Sequence, residues 1–369
     1  MINLVVDSLE KKDDKVEFVE VKGFGHPDTI CDDIAESCSQ VLTKYYLKQF
    51  GRVLYHNFDK VSIIAGRSIP KFGGGEIKKP MRIVVSGRAV SKVGNVIVSV
   101  EETIKKVVGN HMALFDVDYD LEINVQDGAQ NLKQGFDWKV EVANDSSISV
   151  GYYPFTKLEK LTKDVAELLV SDSFRKKFLG VGYDVKVMGV RIGDDISLTV
   201  AMAFISKYVK DMMHYKEMKH EIKSYLENWA NVAVRINTID SFDNENNLYL
   251  TVSGLSAEHG DDGMSGRGNR YNGLINPSRP MSVEAYAGKN VRHPGILYQA
   301  LAGIIAKEVV EKAKGVKCEV GIVTEIGKVL DEPFVVSVKA ERVDLKLIKE
   351  IVDETFKNIE LIKKDLIFS

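Results

Sequence analysis

The sequence has few cysteines and no long hydrophobic run. Its three cysteines, Cys31, Cys38 and Cys318, contain no CxxC pair and are too few for a disulfide framework. No apolar segment approaches the roughly 18 residues that a membrane-spanning helix needs, and no signal-peptide pattern is present. We therefore expect a protein of the reducing cytoplasm.

A strong charge of one sign and the common nucleotide-binding motifs are also missing. The formal net charge is -3 over 369 residues, which gives no general attraction to nucleic acids or anionic membranes. No predicted strand is followed by GxGxxG or GxxxxGK[ST], so a dinucleotide fold and a P-loop have no support. If the chain binds a nucleotide, it uses another architecture.

The hydrophobic patterns predict an α+β fold. A strand pair near a long amphipathic helix recurs about three times, for example in the lysine-rich helix predicted over 157–179 and the strand pair that follows it. Strand pairs joined by tight polar turns favour mostly antiparallel sheets with helices on one face. The 8 prolines are scattered, so no linker separates the repeats.

The segment FGHPDTICDDIAES, residues 24–37, predicts an amphipathic helix with a functional N-terminus. Its apolar face is formed by residues at helical spacing, namely Ile30, Ile34, Cys38 and Val41. Asp28, Asp32 and Glu36 share another face. His26 could donate a hydrogen bond to an oxygen that gains charge, and Asp28 could bind Mg²⁺ beside phosphate oxygens. The alternative is a plain helix start whose acids complement the helix dipole.

Three weaker signals lie elsewhere in the chain. Glu76 follows three glycines in KFGGGEIKKP, a pattern found both in ligand loops and in plain turns. Asp145 lies between two strand-like runs, where an Asx-turn is the simplest explanation. Lys186 interrupts an apolar strand face, as an edge or snorkelling lysine also would.

A glycine-rich segment over 259–295 has little apolar periodicity and is too long for an unadorned connection. It contains five cations, namely Arg267, Arg270, Arg279, Lys289 and Arg292. Cations interleaved with glycines favour an anion site with backbone donors, and a phosphate chain is the natural ligand. A solvated surface loop is the alternative. A nucleic-acid groove would need more aromatic platforms than Tyr271 and Tyr286.

Together these segments resemble the methionine adenosyltransferases (S-adenosylmethionine synthetases), in particular the archaeal type. The resemblance is carried by EFVEVKGFGHPDTICDDIAE, HNFDK, KFGGGEIKKPMRIVVSGRA, ANDSSISVGY, DVKVMGVRIGDDISLTVAMAF and GDDGMSGRGNRYNGLINPSRPMSVEAYAGKN. They occur in family order and cover essentially the whole chain. One such segment would be weak evidence, but six in order are highly specific.

The resemblance implies a role for each matching residue. His26 would be the catalytic histidine and Asp28 a magnesium ligand. The cations that bind the triphosphate would be Lys186, Arg267 and Lys289. The predicted substrate-binding residues are Glu20 near the nucleotide, Glu76 and Asp145 on the methionine side, Asp261 at the methionine ammonium, and Arg279 in the cationic loop.

The implied reaction joins ATP and L-methionine. The thioether sulfur attacks C5′ of the ribose, the triphosphate leaves, and it is then cleaved to phosphate and pyrophosphate. A neutral thioether needs no general base, so the barrier lies in alignment and in charge on the leaving oxygen. The implied cofactors are Mg²⁺, as two ions, and possible K⁺.

The resemblance also implies an architecture of three related α+β domains around a pseudo-threefold axis. Approximate units are 15–115, 116–235 and 236–369, probably interleaved in sequence. The expected partner is a second copy of the chain, in a homodimer with active sites at the interface. No nucleic acid and no membrane are expected.

The sequence departs from the family pattern at three places. Thr29 stands where the bacterial type has a lysine, so one cation must come from elsewhere. A later acidic metal ligand has no counterpart near 293–295, and the aromatic residue that stacks on adenine has none near Ser253. The alternatives are therefore another Mg-ATP-dependent transferase and a non-catalytic regulatory relative.

Overall fold

The elements are taken from a computed structural model that describes residues 2–10, 14–136, 140–314 and 317–368. The strands are β1 (Leu4–Ser8), β2 (Val16–Lys22), β3 (His56–Ile64), β4 (Arg67–Lys71), β5 (Gly74–Lys79), β6 (Met81–Ala89), β7 (Lys92–Val93), β8 (Val96–Ile97), β9 (Tyr119–Gln126), β10 (Ile148–Tyr153), β11 (Val181–Ile192), β12 (Asp195–Ile205), β13 (Ala233–Ile236), β14 (Leu250–Thr251), β15 (Gly263–Met264), β16 (Cys318–Val323) and β17 (Val335–Ala340). The helices are α1 (Pro27–Phe50), α2 (Val100–Met112), α3 (Gln130–Gln134), α4 (Lys157–Val170), α5 (Asp172–Lys177), α6 (Met212–Ala230), α7 (Pro294–Ala313), α8 (Leu345–Lys357) and α9 (Ile359–Phe368). Within these ranges, no helix has both the length and the apolar character needed to cross a membrane.

Three sheets repeat one topology. Their strand orders are β15–β3–β6–β9 in the first sheet, β2–β11–β12–β13 in the second and β10–β16–β17–β1 in the third. In this direction, each sheet has two antiparallel pairings followed by one parallel pairing. The short strand β14 also pairs with β12. The predicted α+β class with mostly antiparallel sheets is confirmed.

Each sheet is covered by helices on one face, and each has its own hydrophobic core. Helices α1 and α2 pack on the first sheet, α4 and α6 on the second, and α7 and α8 on the third. The central helices α1, α4 and α7 contribute fully buried apolar residues such as Ile34, Leu158 and Leu301. In the part of the chain that the structure describes, no helix packs on the opposite face of any of the three sheets.

The three units exchange strands in a closed cycle. Strand β2 precedes α1 of the first unit but pairs in the second sheet, and β10 precedes α4 of the second unit but pairs in the third. Strand β15 precedes α7 of the third unit and pairs in the first sheet. The three sheets therefore cannot be separated by dividing the sequence into consecutive segments. The predicted boundaries at 115 and 235 stay a prediction.

Two local predictions were wrong. Val41 is exposed, and Leu42 takes its place on the buried face of α1, because four residues after Cys38 return closer to the same side of the helix than three. The helix predicted over 157–179 is broken at Ser171. There the hydroxyl donates to the Leu168 carbonyl and accepts from the Phe174 N–H, so that α4 ends and α5 begins.

Candidate active site

Strands β2 and β11 carry the first part of the site on the open face of the second sheet. Val19 and Val21 point into the core under α4, whereas Glu20 and Lys22 project from the opposite face because strand side chains alternate. In the antiparallel register Lys186 of β11 lies directly opposite Lys22. Strand pairing thus brings a distant lysine to the start of α1.

His26 is the N-cap of α1, and this fixes its protonation. Its Nδ1 accepts the N–H of Asp28 at 3.2 Å. Burial, followed by the positive charge of Lys22, lowers the pKa of His26 to about 4, although Asp28 opposes the shift. The ring is therefore neutral near pH 7, and its single proton is on Nε2. His26 presents a neutral N–H donor.

Asp28 is held between a cation and a backbone donor. Its Oδ2 accepts from Lys22 Nζ at 2.7 Å, and its Oδ1 accepts from the N–H of Met264 at 2.9 Å. Burial by itself would raise the pKa of Asp28, but these two bonds outweigh it and lower the pKa. An ionised carboxylate that already carries a cation fits a divalent metal ligand. We call Lys22, His26, Asp28 and Lys186 the His26 cluster.

The row of acids along α1 docks the glycine-rich loop, residues 259–293. Three successive carboxylates accept loop N–H groups: Asp28 from Met264, Asp32 from Gly266 and Glu36 from Gly288, at 2.9, 2.6 and 3.1 Å. Gly268 permits this close approach, because a Cβ there would lie 2.2 Å from Asp32 Oδ2. Burial raises the pKa of Asp32 to about 6 and that of Glu36 to about 7.

A second group of charged residues surrounds Lys289, which lies against a later part of α1 than the His26 cluster does. The Lys289 side chain is only 2% exposed, and its Nζ lies 3.2 Å from Asp59 Oδ2 and 3.4 Å from Glu284 Oε2. His293 and Asp145 lie beside it, with 3.2 Å between His293 Nε2 and Asp145 Oδ2. We call these five residues the Lys289 cluster.

His293 repeats at α7 the cap that His26 makes at α1. Each histidine precedes a proline at the first helical position, and His293 Nδ1 accepts the N–H of Gly295 at 2.9 Å. The hydrogen bond from His293 lowers the pKa of Asp145. Sequence reasoning missed this residue, and the signal that could have found it is the second His-Pro pair.

The Lys289 cluster is suited to a positively charged group. The ligand atoms of Asp145, Glu284 and His293 all lie within 4.8 Å of one another, as in metal sites. Because His293 Nδ1 accepts a backbone N–H, its Nε2 carries a proton and is no free metal ligand in this state. The two carboxylates remain, and they are 44% and 31% exposed at the mouth of the cluster.

Comparison with known proteins places this geometry in a family. The model of the S-adenosylmethionine synthetase (AdoMet synthetase) family matches residues 3–369. The S-adenosylmethionine synthase of Saccharolobus solfataricus is 42% identical over 364 residues, which cover 92% of this chain and 89% of the relative. That of Methanothermobacter marburgensis is 41% identical over 353 residues, covering 90% and 88%. The chain belongs to the S-adenosylmethionine synthetase family.

The fold agrees with this assignment. The solved structure of an unusual S-adenosylmethionine synthetase from Campylobacter jejuni matches with a TM-score of 0.60 at 15% identity, covering 95% of this chain and 90% of that one. At that identity the match bears on the fold alone. The family, the fold class and the adenosyltransferase activity predicted from the sequence are confirmed. The synthetase family uses ATP, methionine and a divalent metal.

Three other predicted site residues of this synthetase lie outside both clusters. Glu76 is exposed on the β4–β5 hairpin and pairs with Lys78 at 2.5 Å. Asp261 is exposed and accepts a hydrogen bond from the Ser256 hydroxyl at 3.1 Å. Arg267 has an exposed side chain, and its carbonyl accepts from Lys22 Nζ at 2.6 Å. Arg267 thus adjoins the His26 cluster, whereas the other two do not.

The two remaining predicted substrate contacts have different surroundings. Glu20 lies beside the His26 cluster, with its carboxylate 3.9 Å from Lys22 Nζ. Arg279 makes a bidentate ion pair with Glu159, with Nη2 2.9 Å from Oε2, and stacks on the Tyr152 ring. This pair supports the N-terminus of α4, so the geometry does not place Arg279 with His26. Its role in substrate binding stays a prediction.

Proposed function

We propose that this family member transfers the adenosyl group of ATP to the sulfur of L-methionine at the His26 cluster. The observation that carries the proposal is a neutral histidine whose Nε2–H can donate a hydrogen bond, set beside two lysines and an ionised carboxylate. This set matches a reaction in which a polyanion departs from carbon and no base is required.

His26 acts on the leaving oxygen. As the C5′–O bond breaks, charge accumulates on the bridging oxygen, and the Nε2–H of His26 donates a hydrogen bond to it. A neutral ring with a pKa of about 4 keeps this proton as a donor across the neutral range. Lys186 and the neighbouring Arg267 stabilise the charge on the remaining triphosphate oxygens.

Asp28 is the residue that would hold Mg²⁺, since its ionised carboxylate lies at the edge of this cationic pocket. A bound divalent ion neutralises phosphate charge and orients the chain of phosphates. Asp28 stays ionised at neutral pH because of its bonds to Lys22 and Met264. The presence of a second Mg²⁺ and of K⁺ remains a prediction.

The Lys289 cluster receives the amino-acid end of methionine. Asp145 and Glu284 offer two carboxylates at the mouth of the cluster, and these would accept the methionine ammonium. This pair supports an ammonium site better than Asp261, whose exposed carboxylate accepts a hydrogen bond from the Ser256 hydroxyl. Lys289, predicted to bind triphosphate, lies behind the two acids and would reach a substrate anion from that side.

The working form is a homodimer with the open sheet faces at its interface. Apolar side chains are exposed on the face that also carries Lys22 and Lys186, with Phe18 48% and Met188 41% exposed. A partner that covers this face would exclude water from the reacting atoms, and the exposed Glu76 could then serve the partner's site. A cytoplasmic location remains a prediction, supported by three buried and unpaired cysteines.

The experiment that tests the function is an incubation of the purified chain with ATP, L-methionine, Mg²⁺ and K⁺. We expect mass spectrometry to detect S-adenosylmethionine, with phosphate and pyrophosphate formed in equal amounts. Reactions without methionine and without Mg²⁺ are the controls. Phosphate release without the sulfonium product would overturn the proposal in favour of another ATP-dependent activity.

A further inference from the structure

Lys22 is a mostly buried cation for which the sequence predicts no role. Its side chain is 11% exposed, and its Nζ contacts Asp28 Oδ2 at 2.7 Å and the carbonyl of Arg267 at 2.6 Å. The first contact is to the predicted metal ligand, and the second is to the glycine-rich loop. Lys22 is therefore located at the point where strand β2, helix α1 and the loop meet.

Lys22 and Lys186 form a like-charge pair across two strands. They are opposite each other in the β2–β11 register, and both project from the open face of the sheet. Like charges directly opposite in a sheet destabilise the pairing. In the part of the chain that the structure describes, no carboxylate forms an ion pair with Lys186. The combined positive charge of the two lysines favours binding of an anion on this face, and a bound anion would offset their mutual repulsion.

The Asp28 carboxylate would have to accept two cations on one side once a metal ion binds. Its Oδ1 is bonded to the loop backbone, so Oδ2, which Lys22 now occupies, is the oxygen left for a metal ion. A divalent ion held by Asp28 would repel the ammonium group of Lys22. The lysine stem is flexible and its three N–H donors can rotate toward another acceptor. Once released from Asp28, the ammonium group of Lys22 would bind an anion that also contacts Lys186.

We propose that Lys22 is a triphosphate-binding residue that occupies the cation position on Asp28 until metal and ATP arrive. The proposal rests on the proposed function of the His26 cluster. It also supplies a candidate for the cation that the resemblance requires and that Thr29 does not provide. The role is one of binding and charge stabilisation at the phosphates, next to the donor that His26 offers to the leaving oxygen.

The test uses Lys22→Met, which keeps the length of the side chain and removes its charge, and Lys22→Arg, which keeps the charge. Isothermal titration of the full chain with inorganic tripolyphosphate, and separately with Mg²⁺ alone, gives two readouts that do not depend on turnover. Lys219→Met is the matched control, because Lys219 makes an equally close pair with Asp240 at 2.6 Å outside the site.

We expect Lys22→Met to bind tripolyphosphate roughly 10- to 100-fold more weakly, the scale of one lost charge-assisted hydrogen bond. Mg²⁺ alone should bind no more weakly than to the wild type, because its competitor on Asp28 is gone. Lys22→Arg should retain most of the tripolyphosphate affinity, and Lys219→Met should retain all of it.

Two results would overturn the proposal. One is unchanged tripolyphosphate affinity in Lys22→Met. The other is parallel weakening of Mg²⁺ and tripolyphosphate binding together with a fall in thermal stability larger than that of Lys219→Met, which would make Lys22 a structural residue. Failure of the proposed function is a separate outcome, since it would appear as absence of S-adenosylmethionine from the wild type.

Discussion

His26 uses its two ring nitrogens for two tasks, and mutation can separate them. Nδ1 caps α1, and in the proposed mechanism Nε2 donates to the leaving oxygen. We predict that His26→Asn lowers kcat by ~10²–10³, the effect of losing one donor to a developing oxyanion. Asparagine is also a preferred N-cap, so the melting temperature should change little.

His26→Ala is the companion variant, which loses both the donor and the cap. It should show the same loss of kcat and an additional destabilisation of about 1 kcal/mol. Steady-state kinetics and thermal melts of both variants provide the measurement. A near-wild-type kcat in His26→Asn would contradict the assignment of His26 as the donor.

His56 makes the first unit sensitive to acid. It is fully buried under the Lys289 cluster; its Nδ1 donates to the Leu54 carbonyl at 2.8 Å, and its Nε2 contacts the Ser39 hydroxyl at 2.9 Å. Burial lowers the pKa of His56 to about 4. In the unfolded chain a histidine takes up a proton near pH 6.5, so the folded state loses stability as the pH falls from there toward 4.

We predict that His56→Gln flattens this dependence. The slope of the free energy of unfolding between pH 6.5 and 4 should fall by up to about 1.4 kcal/mol per pH unit, the contribution of one proton. Urea unfolding of both proteins between pH 4.5 and 8 is the measurement. The mutant's lower absolute stability, caused by lost ring packing, does not affect the comparison. Parallel curves would show that His56 does not titrate on unfolding.

At the scale of elements, helix α1 is both a core helix and the support of the glycine-rich loop. Its apolar face is buried in the first core, and its acidic face accepts loop N–H groups at intervals of four residues. The loop has little regular structure of its own between β15 and α7. Its position therefore depends on these carboxylates, and so does the location of Arg267.

We predict that Asp32→Ala releases the loop near Gly266. An unpaired buried N–H costs ~1–3 kcal/mol, so amide exchange over residues 264–270 should become roughly 10- to 100-fold faster. The KM for ATP should rise as well, because Arg267 is no longer held beside Lys22. Hydrogen-exchange mass spectrometry gives the first readout and initial-rate kinetics the second.

Asp32→Asn is the control for this experiment. Its amide oxygen can still accept the loop N–H, so exchange in the loop should stay close to that of the wild type. Equal exchange in the alanine variant and the wild type would mean that other contacts hold the loop.

At the scale of the whole molecule, the strand cycle and the open sheet faces decide how the units assemble. Each sheet contains a strand that leads into the first helix of another unit, so the three cores are linked through the chain. The open face of the second sheet combines exposed apolar residues, Phe18 and Met188 among them, with Lys22 and Lys186. Burial of this face against a second copy would stabilise the dimer and enclose the site.

We predict that Phe18→Glu breaks the homodimer. A charge at the centre of an apolar interface is costly to desolvate, so the mass in light scattering should fall from twice the 41.2 kDa of the chain to a single copy. Activity should fall with it. Ile97→Glu is the control, since Ile97 is 74% exposed on the β7–β8 hairpin and away from that face. A wild type that is monomeric, or a Phe18→Glu variant that stays dimeric, would contradict this interface.

The sequence by itself determined what local chemistry controls. The GHPD segment specified the helix start with His26 at its cap, and apolar periodicity specified most of the buried face of α1 and the alternation of strands and helices. The ordered motifs identified the family over the whole chain. Val41 and the end of α4 were missed because one residue of helical phase, or one serine hydroxyl, is enough to change them.

Only the tertiary structure decided which charges meet. Lys22 was unremarkable in sequence, and strand register made it the neighbour of both Asp28 and Lys186. The start of α7 places the ring of His293 beside Asp145, and Arg279 forms an ion pair with Glu159. Pairings of this kind join residues far apart in the chain, and their energies depend on burial and distance. Composition and periodicity contain neither quantity, because both arise only once the strands have paired and the loop has docked.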